Sequence, residues 1–236
     1  MPTPNRPTQQ KRSRPSSYWE TRLRQQGLKL IAGIDEVGRG CLFGPVVAAA
    51  VILDPKRPIR GLRDSKQLDA KLREVLGARI RERALAFAFG TVDSADIDRW
   101  NIYEATRRAM AAAVQSLGVA VDFLLVDAMQ LDLDTPQKSL TQGDTRCASI
   151  AAASILAKVE RDSWMRAWDE IYPHYNLSSN KGYATPDHLR ALAEYGPTSL
   201  HRFSFRPVRQ ATRFFSSVAA EFSPTTKPSF SEGEVT

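Results

Sequence analysis

The stretch KLIAGIDEVGRGCLFGPVVAAAVIL, residues 29–53, holds two apolar runs separated by a glycine-rich connection, with Asp35 and Glu36 side by side where the first run ends. Ionised carboxylates at the edge of a buried strand are costly unless paired or bound to a cation. Residues 28–37 and 46–53 have the character of strands, and the connection between them is too short for a helical crossover, which predicts an antiparallel pair. A helix over 68–83 and a third strand, LAFAFGTV (85–92), follow. Next, Ile102, Ala105, Ala109, Ala113 and Leu117 recur at helical spacing and stop at Gly118. VDFLLVDAM (121–129) is a strand whose unbroken apolar centre points to burial on both faces. Residues 145–171 are Ala-rich and free of Gly and Pro, which predicts one helix ended by Pro173. Three strands, a helix, a strand and a helix make a mixed α/β sheet, entered by a parallel strand after a crossover. The loop-rich segment after about residue 172 is expected to form a small helical appendage.

With 236 residues and 42% hydrophobic content, the chain can bury a substantial core. One domain is expected over 18–215, between a basic tail (1–17) and a second tail (216–236), both rich in Pro, Ser and Thr and expected to be disordered. No apolar run reaches the roughly 18–20 residues that span a bilayer, and the polar N-terminus lacks a signal-peptide core, so a cytoplasmic protein without a membrane partner is expected. Cys41 and Cys147 have no metal-binding spacing, in keeping with a reducing compartment. For Cys147, near the start of the long helix, two readings stand: a helix N-terminus that lowers the thiol pKa and opens it to modification, or, the favoured one, a small residue that is simply buried, as Cys41 would also be. The net charge is +7, and the body keeps +5 when both tails are set aside. A polyanionic partner, nucleic acid first, is the functional reading; a merely soluble basic surface is the plain one.

Asp35 and Glu36 close the first strand, Asp127 closes the fourth, and Asp144 precedes the long helix. Singly, each could be a solvated strand end or a helix cap. Together they sit where α/β folds gather ligands, at the carboxyl ends of strands. Clustered carboxylates repel unless they share protons or hold hard cations, so magnesium or manganese is expected, and two such ions about 4 Å apart would suit phosphoryl transfer. Neighbours on a regular strand point to opposite faces, so Asp35 and Glu36 are expected to share a site only if the strand ends or bulges there. Gly38 and Gly40, flanking Arg39, would let backbone amides approach a phosphate or sugar closely.

These features, with GLRDSKQL (61–68), VDSADIDRWNIYEAT (92–106), LLVDAM (124–129), QGDTRCASIAAASILAKVERD (142–162), YPHYNLSSNKGYATPDHL (172–189) and YGPTSLHRFSFRPV (195–208) in order, resemble ribonuclease HII, the bacterial type-two ribonuclease H, over residues 29–209. The resemblance implies an α/β, ribonuclease H-like mixed sheet flanked by helices, with a small C-terminal helical appendage. It implies an endoribonuclease that hydrolyses the phosphodiester 5′ of ribonucleotides in RNA–DNA hybrids and of single ribonucleotides embedded in duplex DNA, leaving 3′-hydroxyl and 5′-phosphate ends. Asp35, Glu36 and Asp127 would be ligands for manganese or magnesium, and Asp144 the fourth active-site acid. Gly38, Arg39 and Gly40 would grip the ribonucleotide, Tyr183 would pack on the sugar at the junction, and Ser65 and Lys66 would hold the nucleic-acid backbone. Asp162 is expected to be a surface or helix-pairing acid. Cys41 stands where the family usually has Pro, and Gln142 where Lys often precedes Gly-Asp, which bears on loop rigidity and phosphate affinity.

A monomer is expected. QATRFF (210–215) offers a Gln followed by two aromatics, as a sliding-clamp docking peptide does, but its spacing favours a terminal hydrophobic turn packed on the body. A junction resolvase of the same fold is disfavoured by the GRG and Tyr183 together. A catalytically silent nucleic-acid-binding module would be expected to lack an acid, and all four are present.

Overall fold

The antiparallel pair is β1 (Ile31–Val37) and β2 (Val46–Leu53), in unbroken register from Ala32↔Ile52 to Val37↔Val47. The structure is a computed structural model that describes residues 15–221. Helix α1 (Tyr18–Gln25) precedes the pair, and α2 (Ala70–Arg83) and β3 (Ala84–Val92) follow it. Then come α3 (Ser94–Trp100), α4 (Ile102–Gln115), β4 (Phe123–Asp127) and β5 (Gln137–Leu140). The sheet order is β3-β2-β1-β4-β5, with β4 parallel to both β1 and β5. Two helices share the segment expected to form one: α5 (Gly143–Arg146) and α6 (Ala148–Ile171), parted by Cys147 in extended geometry.

The alternation of β2 divides the core. Val46, Ala48, Ala50 and Ile52 join Ile34 and Val126 against Ala105, Ala109, Met110 and Ala113 of α4. Ala49 and Val51 face Ala151, Ala152, Ile155 and Leu156 of α6, flanked by Leu76 and Ile80 of α2. Small residues let α6 sit hard on the sheet. A Cβ at Gly33 would come within 2.2 Å of the Ser149 backbone, so the first turn of α6 touches the floor of β1.

Several expected bounds move. Asp69 caps α2 by accepting from the Leu72 amide, so that helix starts at Ala70, and Asp64 caps a short 3-10 turn, Ser65–Gln67. Helix α3 and strand β5 were not anticipated. Residues 1–14 and 222–236 of the expected tails lie outside the described residues. Ser16, however, bridges to Cys147 with parallel pairing, so the body begins earlier than residue 18.

The appendage holds α7 (Leu177–Asn180), α8 (Pro186–Tyr195) and α9 (Arg206–Glu221), the last running past the expected boundary at 215. Its core of Tyr175, Leu177, Ala191, Leu192 and Val208 closes on Leu42 and Phe43 from the β1–β2 connection and on Met165 of α6. QATRFF lies within α9, where Phe215 packs beside Gly196, which is body packing. Among the described residues no helix is long and apolar enough to cross a membrane.

Candidate active site

The parallel pairing of β1 with β4 stops at Ile34↔Val126, one residue short of Asp35 and Asp127. The two carboxylates therefore emerge side by side at the carboxyl ends of neighbouring strands. One cleft there is lined by Asp35, Glu36, Gly38, Arg39, Gly40, Ser65, Lys66, Asp127, Asp144 and Tyr183, joined by Ser154 and Lys158 of α6. Every site residue expected from the sequence is thus in one place.

Asp35 and Glu36 share the cleft without the strand end or bulge that seemed necessary, because β1 stays in register with β2 through Val37. What opens is the flank toward β4, where pairing has ceased, and side chains from both faces reach around that rim. Asp35 is on the α6 side, where its carboxylate accepts from its neighbour's amide (2.8 Å) and from the Ser154 hydroxyl. Ser154 and Ser65 hydroxyls are 3.0 Å apart. The side chain of Ser65 therefore points inward, into the network that orients Asp35. Glu36 faces Arg39 at 3.6 Å. Asp127 accepts from the Gly143 amide at 2.7 Å, so the Gln142-Gly143 turn orients that acid.

Electrostatics reveal the strain of this gathering. Burial, then the charges of Glu36 and Asp127, push the Asp35 carboxyl well above its ordinary range. Burial also raises Glu36 and Asp127, opposed by Arg39 for the former and by the Gly143 amide for the latter. Asp144 is pushed up to about 6 by burial and by the charges of Asp64 and Asp127. Asp64, which the sequence did not single out, is thus a fifth acid beside the site, its charge raising both Asp127 and Asp144. Its only sequence signal was its place as a cap before Ser65 and Lys66.

This donor set suits a hard divalent cation: oxygen ligands, two of them preoriented by backbone amides, in surroundings where added positive charge relieves repulsion. Among the described residues, no three acidic, His or Cys side chains close up around one point unaided. Mutual repulsion resists such closure, and a magnesium-like ion that keeps several waters does not require it.

The GRG loop rests on two buried arginines. Arg161 of α6 donates to the carbonyls of Pro45 (3.1 Å), Lys181 (2.7 Å) and Phe43 (2.8 Å). Arg202 donates to those of Gly44 and Arg39, both at 2.9 Å. Burial lowers Arg202 to about 10. Leu42 donates its amide to the Gly182 carbonyl (2.7 Å), stitching the loop to the segment that carries Tyr183. The Tyr183 ring is 39% exposed, its phenol beside the Cys41 thiol, and burial raises it to about 12.

The ribonuclease HII family model matches residues 32–208. A ribonuclease HII from Solibacter usitatus is 60% identical over 195 residues, covering 83% of this chain and 86% of that protein. The chain belongs to the ribonuclease HII family. Among solved structures, the ribonuclease H2 of Pyrococcus horikoshii OT3 has a TM-score of 0.68 at 24% identity, over 79% of this chain and 98% of that one. Bst-RNase HIII in complex with Mn2+ has a TM-score of 0.60 at 20% identity, over 80% of this chain and 71% of that one. Both share the fold. Membership in the ribonuclease HII family makes the protein an endonuclease that hydrolyses RNA in RNA–DNA hybrids.

Two residues whose sequence offered alternative readings, Cys147 and Asp162, are decided by their surroundings. Cys147 is not activated: Glu20, itself buried, accepts from the Ser149 amide (2.8 Å) and from the Cys147 thiol (3.2 Å), taking the helix N-terminus for its own charge. Burial and that carboxylate push the thiol up, not down. Asp162 is no surface acid, being buried between Arg73 of α2 (3.3 Å) and Lys158 (2.6 Å); it does pair helices.

Proposed function

We propose that the protein nicks the strand 5′ of a ribonucleotide, in hybrids and at single ribonucleotides within duplex DNA, leaving 3′-hydroxyl and 5′-phosphate ends. The observation that carries this is the convergence of four acids, the GRG loop and Tyr183 on one cleft. Asp35, Glu36 and Asp127 would hold divalent ions, manganese or magnesium, with Asp144 beside them. When bound, such ions supply Lewis acidity toward water and toward the phosphate oxygens. The chain's own residues do the rest. The amides of Glu36 and Gly143 and the Ser154 hydroxyl keep Asp35 and Asp127 in fixed orientations, so little reorganisation accompanies reaction.

The main chain at Gly38 and Gly40 reads the ribose 2′-hydroxyl, which alone distinguishes RNA from DNA locally. Tyr183 packs on the following sugar when that sugar lacks such a group. Lys66 and Arg39 face the phosphates as counter-charges. A silent binding module with the same fold is disfavoured because it would have no need to bury carboxylates at raised pKa.

The test is metal-dependent nicking of a duplex carrying one ribonucleotide, with the product ends mapped, for wild type and Asp127→Asn. Loss of cleavage with retained binding is expected for the variant. Wild-type turnover by a folded Asp127→Asn protein would sink the proposal.

A further inference from the structure

Beneath Tyr183 lie two buried histidines that the chemistry above does not use. His188 of α8 and His201 are both fully buried, with their Nε2 atoms 3.1 Å apart. The Nδ1 of His188 is 2.9 Å from the Tyr183 carbonyl oxygen. The Nδ1 of His201 is 2.9 Å from the Thr198 amide. The proton positions follow from the partners. A carbonyl oxygen only accepts, so His188 carries its proton on Nδ1 and presents a bare Nε2. That bare nitrogen needs a donor, so His201 carries its proton on Nε2. Its own Nδ1 is then bare and accepts from the Thr198 amide. All four nitrogens are satisfied by one arrangement, running from Thr198 through His201 and His188 to the main chain of Tyr183.

We propose that His201 and His188 form a directional hydrogen-bond relay that fixes the Tyr183 main chain over the GRG loop, making both positioning residues for ribonucleotide selection. The inference rests on the junction-sensing reading of Tyr183 above. The surroundings are built for rigidity. Tyr175 packs at 5.0 Å from the His201 ring and 6.0 Å from the His188 ring, and Phe43, next to the loop, meets His201 edge-on at 4.9 Å. The Tyr183 carbonyl also accepts the Thr185 amide at 2.8 Å, so both of its lone pairs are engaged. The loop side is fixed by Arg202, whose chain neighbour is His201, through its bond to the Arg39 carbonyl. The two surfaces that would contact a ribonucleotide junction, Gly40 and the Tyr183 ring, are then held from one buried cluster.

The test uses the full-length enzyme with manganese. Nicking rates are measured on a duplex with one ribonucleotide and on a hybrid with four, for His188→Phe, His188→Asn, His201→Gln and Tyr183→Ala, and for the Tyr183→Ala/His188→Phe double variant. The Asn amide keeps a donor toward the Tyr183 carbonyl, and the Gln amide keeps a donor toward His188. The relay requires His188→Phe to lose about tenfold on the single-ribonucleotide duplex relative to the hybrid, the order of one buried hydrogen bond. It also requires substantial recovery in His188→Asn and His201→Gln, and no further loss of selectivity in the double variant beyond Tyr183→Ala. If His188→Phe keeps the wild-type ratio, or its loss adds fully to that of Tyr183→Ala, the relay is wrong while the Tyr183 reading stands. If Tyr183→Ala alone keeps wild-type selectivity, the Tyr183 reading fails first and takes the relay's role with it. Should His188→Phe not fold, as judged by circular dichroism, His201→Leu, which removes the donor toward His188, is set against His201→Gln, which keeps it; about tenfold lower selectivity in His201→Leu supports the relay, and equal ratios in the two variants overturn it.

Discussion

Gly38 and Gly40 look equivalent in sequence, yet the structure assigns them opposite reasons for being glycine, and a pair of alanine substitutions separates the two. Gly38 has φ +94°, and a Cβ there would lie 2.4 Å from Arg161 Nε and 2.8 Å from its Cδ. The guanidinium cannot swing aside cheaply because three carbonyls hold it. Left-handed geometry in a non-glycine residue costs about 1 kcal/mol or more, and displacing one charge-assisted bond while its carbonyl stays buried costs roughly 1.5–3 kcal/mol. Gly38→Ala is therefore expected to lose about 3–5 kcal/mol. Gly40 differs: a Cβ there would meet only the Tyr183 ring edge, at 3.9 Å, an ordinary contact. Gly40→Ala should fold within about 0.5 kcal/mol of wild type. Its new methyl group would nonetheless stand in the cleft where a ribonucleotide backbone approaches, lowering nicking by roughly tenfold or more. Urea unfolding followed by tryptophan fluorescence, with cleavage assays on the same samples, gives both numbers. Wild-type stability of Gly38→Ala would refute the Arg161 anchor, and wild-type cleavage by Gly40→Ala would refute close approach at the loop.

Asp162→Asn should destabilise by about 3 kcal/mol in urea, because it leaves Arg73 and Lys158 without the buried charge they share; an unchanged midpoint would mean the pair is solvated. His201 is held at about 3, against about 6.5 in the unfolded chain, by burial and by His188. The unfolded state thus binds the extra proton, so the stability is present above pH 6.5 and falls toward pH 3 by about 1.4 kcal/mol per unit. The difference in unfolding free energy between wild type and His201→Gln, measured at pH 7, 6 and 5, should shrink by that amount, and a constant difference would show that His201 titrates normally. Cys147 should react with a thiol reagent only as the protein unfolds, and rapid modification under native conditions would contradict its pairing with Glu20.

The sheet was legible where apolar content and strand geometry coincide. Residues 31–37 and 46–53 advertise themselves, and the unbroken FLLV of β4 announced a strand buried on both faces. Strand β5 carries QKSL, an edge segment with little to bury, so hydrophobic pattern was silent. Helix α3 is a seven-residue helix set off by the Asp93 cap, and its proximity to α4 blurred the boundary at Asn101. The cleft was readable because acids at strand ends are costly anywhere else. Its supports were not: Arg161 and Asp162 follow two other charged residues in KVERD and look solvated, yet both are buried by elements far away in sequence. Nothing local in a sequence records that an arginine will find three carbonyls across the fold.

Helix α6 has a consequence for how this enzyme can change. From Ser149 against Gly33, through Ser154 at Asp35 and Lys158 in the cleft, to Arg161 under the loop and Met165 in the appendage core, its contacts succeed one another along a single rod. Each residue advances the rod by about 1.5 Å and turns it by about 100°. Deleting any one residue in the middle would rotate everything beyond it out of alignment with the sheet, so even a position that touches nothing serves as a spacer. Changes of length can be absorbed by the connections around the helix, but within it the count of residues is itself part of the active site.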